Sequence, residues 1–126
     1  MKSWLTPVFL LAAILAASAL NCYATEQNVS RWQRQLETVE EEASSENWSG
    51  AEAALSQSYD DWSSRQTYLH ITAEHNVVDS AEAMYRRCAA FAAEKEPSEF
   101  RAELTGLKHQ LWLLSEMERF SIKNIL

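Results

Sequence analysis

Glycine and proline are scarce in this chain, which has only two of each among its 126 residues. Because sheet proteins use these residues in their many turns, the scarcity argues against a β-rich domain. It favours long helices joined by short loops, and the length suits one small domain. The sequence therefore predicts an all-α protein.

Positive charge is also in short supply, with 11 basic against 18 acidic residues. Lys2 is the only charged residue before Glu26, so the remainder carries 10 basic and 18 acidic side chains. A phosphate backbone would be repelled by this balance, and no basic stripe interrupts it. We expect no nucleic-acid partner.

Cysteine occurs only twice, as Cys22 and Cys88, and neither belongs to a CxxC motif. The cysteine and histidine spacings give no metal or cofactor signature, so none is predicted. Cys88 falls in a helical pattern and is expected to be a small buried residue. A disulfide to Cys22, or a modification of either thiol, stays open.

One long uncharged run is present, at residues 4–20. As a helix it would be about 26 Å long, close to the apolar thickness of a bilayer. The run is long for a signal peptide, which favours an uncleaved signal anchor. Small residues would nevertheless allow cleavage after Ala19 or Ala24, releasing a secreted protein. Leu20 and Asn21 do not fit a lipobox before Cys22.

The chain divides accordingly into an anchor or signal peptide at residues 1–24 and a helical domain at residues 25–126. Lys2 stays on the cytoplasmic side under the positive-inside rule, so the acidic domain is expected outside the cytoplasm. The predicted location is the cell membrane, with a single span.

Apolar residues recur at three- and four-residue steps through the rest of the chain, which is typical of amphipathic helices. The pattern predicts helices over 26–45, from N-cap Asn47 to about Glu74, from N-cap Asp79, and from Pro97. Residues 75–78 read as a corner. Short connections between such segments predict an antiparallel bundle of about four helices. The predicted core positions are Val29, Trp32, Leu36, Val39, Ala43, Trp48, Ala51, Leu55, Tyr59 or Ser58, Trp62, Leu69, Ala73, Ala81, Met84, Tyr85, Cys88, Phe91, Ala92, Phe100, Leu104, Leu107, Leu111, Leu114 and Met117.

Several of these residues also match a family pattern. The stretch 47–52, Asn-Trp-Ser-Gly-Ala-Glu, opens a helix; Trp62 follows, then His75 and Asp79, and the chain closes with 120–126. With the N-terminal apolar run, this resembles the domain-of-unknown-function 4363 family over nearly the whole chain. The resemblance implies a bacterial, membrane-anchored helical protein without an assigned activity. It also implies that His75 and Asp79 form a structural corner.

His70, Glu74 and His75 are the residues most suggestive of a metal site. Histidines five residues apart point about 140° away from each other on a helix, so one metal would reach both only if the helix ended between them. A capping His75 that pairs with Asp79 is the simpler interpretation. The carboxylates at 40–42 and 60–61 indicate no cleft, so no catalytic residue and no enzyme is predicted. A hydrolase would require His70 or His75 beside a carboxylate.

Tryptophans are the more informative candidates for a binding surface. Trp48, Trp62 and Trp112 lie on or beside apolar seams, where core packing is the simplest role. Aromatic residues also dominate partner and ligand sites, and Trp112 lies beside its stripe instead of on it. We expect an extracytoplasmic, membrane-tethered module that binds a protein partner or itself. The alternative is a carrier of a small apolar ligand or a metal.

Overall fold

A computed structural model describes residues 3–65 and 75–125 of the chain. This part contains four helices and no strand: α1 (Leu5–Ser44), α2 (Trp48–Ser64), α3 (His75–Ala93) and α4 (Pro97–Ile125). The prediction of an all-α fold is confirmed. Residues 66–74, and with them the predicted end of the second helix, lie outside the described part.

The four helices form a ring in which each packs against two neighbours. α1 contacts α2 and α4, and α3 contacts the same two helices from the opposite corner. Glu26 pairs with Arg119 and Glu40 with Lys108, so α1 and α4 run antiparallel. Glu103 pairs with Arg87 and Gln110 bonds the Val77 carbonyl, so α3 and α4 are antiparallel as well. The three-residue turn between α1 and α2 reverses the chain direction, which leaves α2 antiparallel to α3. The predicted antiparallel bundle is therefore confirmed.

The core follows the predicted apolar seams. On α4, the five apolar residues Phe100, Leu104, Leu107, Leu111 and Leu114 are each at most 2% exposed. On α2 the alternative between Ser58 and Tyr59 is resolved: Ser58 is fully buried and bonds the Tyr85 hydroxyl at 2.9 Å, whereas Tyr59 is half-buried. The other buried apolar residues are Val29, Trp32, Leu36, Val39, Ala51, Leu55, Trp62, Val78, Ala81, Tyr85, Cys88 and Ala92.

Two of the four predicted helix starts are confirmed. Asn47 caps α2, with its side-chain oxygen accepting a hydrogen bond from the Gly50 amide at 3.2 Å. Pro97 is the first residue of α4, where its missing N–H costs nothing because a first-turn amide has no partner within the helix. Both starts follow from local chemistry, which explains why the sequence alone located them.

The predicted start at Asp79 is wrong. The helix begins at His75, so residues 75–78 are its first turn instead of a corner, and Asp79 lies inside it as an exposed residue. Val78 explains the difference, because it is fully buried. It lies three residues before the buried Ala81, so a helical backbone places both side chains on the same face. The His75 side chain lies outside the described part, so its pairing with Asp79 stays a prediction.

The apolar run and the first predicted helix form one continuous α1 of 40 residues. The predicted boundary near residue 25 has no helix break, and the small residues of both candidate cleavage sites lie within α1. A continuous backbone therefore joins the apolar segment directly to the bundle.

Candidate functional site

The first half of α1, residues 5–24, is an apolar arm that the bundle does not cover. Its most apolar stretch has a mean hydropathy of 2.0 over 18 residues, none of them buried. Length and composition would allow this helix to cross a membrane or to serve as a signal sequence. The large apolar side chains that lie exposed in or next to the arm are Trp4, Val8, Phe9, Leu10, Leu11, Ile14, Leu20 and Tyr23.

The arm joins the bundle at a sharp change in burial. Tyr23 is 62% exposed, whereas Thr25 is 2% exposed and Asn28 is 7% exposed. Glu26, the residue after Thr25, accepts an ion-paired hydrogen bond from Arg119 near the end of α4. This pair joins α4 to α1 where the apolar arm ends.

Trp112 is the one large apolar side chain that lies exposed in the described residues beyond the arm, at 46%. It stacks on His109, one helical turn earlier, with ring centroids 5.5 Å apart and planes at 25°. The neighbouring Lys108 carbonyl accepts a hydrogen bond from Gln33 at 2.6 Å, which ties this part of α4 to α1. Trp112 is thus a surface residue held on a rigid element, where the sequence prediction placed it.

The other two predicted surface tryptophans lie elsewhere. Trp62 is fully buried, with its ring 5.3 Å from that of Tyr85, so it takes the core-packing role and not a place on the surface of the folded chain. Trp48 is half-buried and packs edge-on against Phe100 at 5.5 Å. Trp48 and Trp62 are 14 residues apart on α2, or about 21 Å, so the structure does not gather the three residues into one surface.

Trp48 lines a shallow groove between α1, α2 and α4. Its floor is apolar, from Ala43, Trp48, Pro97, Phe100 and Leu104, and its rim is polar, from Glu40, Ser44 and Arg101. The groove encloses about 20 Å³, whereas pockets for drug-sized ligands occupy roughly 300–1,000 Å³. This groove therefore suits a surface contact better than the enclosed binding of a small apolar ligand.

An ion network that the sequence analysis missed joins α1 and α2. Arg31 donates two hydrogen bonds to Asp61, at 2.6 and 2.9 Å, and Gln35 donates a third at 3.1 Å. The bond from Arg31 holds the pKa of Asp61 below its ordinary value, against the opposing effect of burial. A general acid at neutral pH needs a raised pKa, so Asp61 is suited to a structural role. Thirty residues separate the partners, and no local pattern predicts such a contact.

The histidine-based hypotheses rest on residues outside the described part. His70 and Glu74 lie outside it, as does the His75 side chain, so neither the metal nor the hydrolase alternative is tested. Within the described residues, no group of three His, Cys, Asp or Glu side chains is placed to hold a metal ion.

The two cysteines are too far apart for an intramolecular disulfide. Cys88 is fully buried on α3, where its neighbour Arg87 bonds Glu103, whereas Cys22 precedes the Glu26–Arg119 pair. Glu103 and Arg119 are 16 residues apart on α4, which is about 24 Å, whereas a disulfide requires Cα atoms within about 7 Å. Burial also raises the pKa of the Cys88 thiol to about 12, with a smaller contribution from Glu103. Neither cysteine forms a disulfide in the structure.

The sequence model of the family "Domain of unknown function (DUF4363)" matches residues 20–125. The matched segment begins near the end of the apolar arm and covers the bundle. No curated protein and no solved structure matches the chain.

Proposed function

The chain belongs to the DUF4363 family, and we propose that it is a membrane-tethered helical module that presents its bundle to a protein partner outside the cytoplasm. The observation that carries the proposal is the uncovered apolar arm, continuous with the bundle through α1. An exposed apolar helix of this length is unfavourable in water and favourable in lipid.

Aromatic residues at the two ends of the arm support retention of the span. Trp4 is 60% exposed and Tyr23 is 62% exposed. They lie 19 residues apart, or about 28 Å along the helix, which matches the roughly 30 Å apolar thickness of a bilayer. Tryptophan and tyrosine are enriched at both membrane–water interfaces. Lys2 on one side and the acidic bundle on the other favour an outward-facing bundle.

The exposed Trp112 supports a role in binding. Aromatic side chains on rigid elements contribute strongly to protein interfaces, and this one is 46% exposed.

The tether is tested with the full chain carrying a C-terminal epitope tag in a bacterial host. We expect the tag in the membrane fraction after a high-salt wash, an intact mass that includes residues 1–24, and cleavage of the tag by protease added to spheroplasts. The double variant L11R/I14R should leave the membrane fraction, because each charge near the centre of a span costs about 3 kcal/mol.

L11S/I14S is the matched control that keeps the arm uncharged, and it should remain largely in the membrane. A mature chain lacking 19 or 24 residues and recovered outside the membrane would contradict the tether. Protein contacts are tested separately by cross-linking the membrane-bound chain. A strictly monomeric chain without adducts would contradict a binding role.

A further inference from the structure

The two turns farthest from the apolar arm lie together at one end of the bundle. The connections α1–α2 and α3–α4 are on the same end because neighbouring helices are antiparallel, and the groove described above contacts both. We define the distal tip as residues 37–52 and 94–103. It has ten acidic and two basic residues, whereas the rest of the chain after residue 24 has eight of each. The distal tip therefore accounts for the whole net charge of −8 that the chain carries beyond residue 24.

Most of these carboxylates lack a cation within the described residues. Glu40 pairs with Lys108 and Glu103 with Arg87, each at 2.5 Å, and Glu42 accepts a hydrogen bond from Asn47. The others form no ion pair with a described residue: Glu37, Glu41, Glu46, Glu52, Glu94, Glu96 and Glu99. Clustered charges of one sign repel each other and attract a partner of the opposite sign.

The apolar groove opens directly onto these carboxylates. Its rim residues Glu40 and Ser44 also line an open depression on α1, which continues to Glu37, Glu41 and Ser45. Arg101 lies on the other rim. The surface therefore joins an apolar floor containing the Trp48 ring to a negatively charged edge on the α1 side.

Lysine and arginine side chains have the complementary chemistry. Their aliphatic stems pack on apolar surface while the charged head remains at its edge, and their cations are attracted to tryptophan rings. We propose that the distal tip binds a lysine- or arginine-bearing segment of a protein partner, with stems in the groove at Trp48 and charged groups at Glu37 and Glu41. This inference rests on the proposed function and names the chemistry of its partner.

The test uses the full chain in dodecyl maltoside micelles and a ten-residue peptide of alternating lysine and serine as the probe. A second peptide replaces each lysine by 2,4-diaminobutyrate, which keeps the charge at pH 6 but shortens the stem. Affinities are measured by calorimetry at low and high salt. Carbodiimide cross-linking followed by mass spectrometry then identifies the carboxylates that contact the lysines.

We expect cross-links at Glu37, Glu41 and the neighbouring tip carboxylates, and an affinity that falls with salt. The variant E37Q/E41Q should bind the lysine peptide about fivefold more weakly, since two rim charges are lost. The control D60N/D79N removes the same charge from exposed positions outside the tip and should change the affinity by less than about twofold. The short-stem peptide should bind several-fold more weakly than the lysine peptide, because it buries fewer methylenes.

Equal weakening by both double variants would overturn the proposal, since it would indicate general charge attraction. Equal affinity for both peptides would overturn it as well, because the groove would contribute nothing. Membrane retention is scored independently. A chain that is released from the membrane but binds the probe contradicts only the tether, whereas a retained chain that does not bind it contradicts only the tip.

Discussion

Asp61 shows how one residue can stabilise the contact between two helices. Its carboxylate accepts hydrogen bonds from Arg31 and Gln35 across the α1–α2 interface, and its pKa is lowered chiefly by the Arg31 bond. Its neighbour Asp60 is exposed and makes no ion pair with a described residue. The two adjacent aspartates therefore form a natural pair of test and control positions.

We predict that D61N lowers the free energy of unfolding by about 1–2 kcal/mol at pH 7, because a hydrogen-bonded ion pair is lost. When folding lowers the pKa of a carboxyl group, its contribution to the free energy of unfolding is complete above the pKa of the unfolded chain, near 3.9. That contribution is lost as the pH falls through the pKa of the folded state. The difference between D61N and the parent chain should therefore shrink below about pH 4. Thermal unfolding in dodecyl maltoside, followed by tryptophan circular dichroism, measures both effects.

D60N is the control and should change the unfolding free energy by less than about 0.5 kcal/mol. A D61N defect that persists unchanged at pH 2–3 would contradict the assigned role of the carboxylate charge.

At the scale of elements, the two turns of the distal tip share one backbone motif. The Glu46 amide bonds the Ala43 carbonyl and the Asn47 amide bonds the Glu42 carbonyl; Lys95 and Glu96 repeat the pattern with Ala92 and Phe91. This is the Schellman arrangement, which places the residue after the helix in the left-handed region. Glu46 has φ 62° and Lys95 has φ 56°, where glycine would be favoured.

We predict that E46G and K95G each stabilise the bundle by about 1 kcal/mol, because the steric cost of a side chain at positive φ is removed. The measurement is the shift of the thermal midpoint under the same conditions. E46A and K95A remove the same charges but keep Cβ, so they should give no such gain. Stabilisation of equal size by the alanine variants would show that charge, and not backbone strain, is relieved.

At the scale of the whole molecule, α1 belongs to two environments. Its apolar arm contributes no residue to the described core, whereas the same helix from Thr25 onward supplies four of the core residues: Val29, Trp32, Leu36 and Val39. The bundle therefore does not depend on the arm for its apolar burial.

Deletion of residues 2–17 should accordingly leave the bundle folded, with an unfolding free energy within about 0.5 kcal/mol of the parent chain. Thermal unfolding of the truncated and full chains in the same detergent makes the comparison. Deletion of residues 2–28 is the contrasting variant: it removes the buried Thr25 and Asn28 and the Glu26–Arg119 pair, and it should destabilise the bundle. A clear loss of stability in the shorter deletion would indicate that the arm packs on the bundle.

The sequence predictions were correct where the deciding interactions are between residues close together in the chain. The caps at Asn47 and Pro97 and the leucine stripe of α4 depend on neighbours within one or two turns, and each was located correctly. The start of α3 was misplaced because Asp79 resembles a cap, whereas burial of Val78 extends the helix by a turn. Trp62 was named both as a core position and as a candidate surface residue, since periodicity shows that a face is apolar but not how deeply it is buried.

The sequence by itself determined the helical class, the apolar arm and the antiparallel bundle, because residue spacing and turn chemistry act locally along the chain. Only the tertiary structure decided how deeply Trp48 and Trp62 are buried and which carboxylate pairs with Arg31. It also brought two turns about 50 residues apart into one acidic tip around an apolar groove. Those features depend on which helices become neighbours, and the packing of side chains from all four helices sets that arrangement.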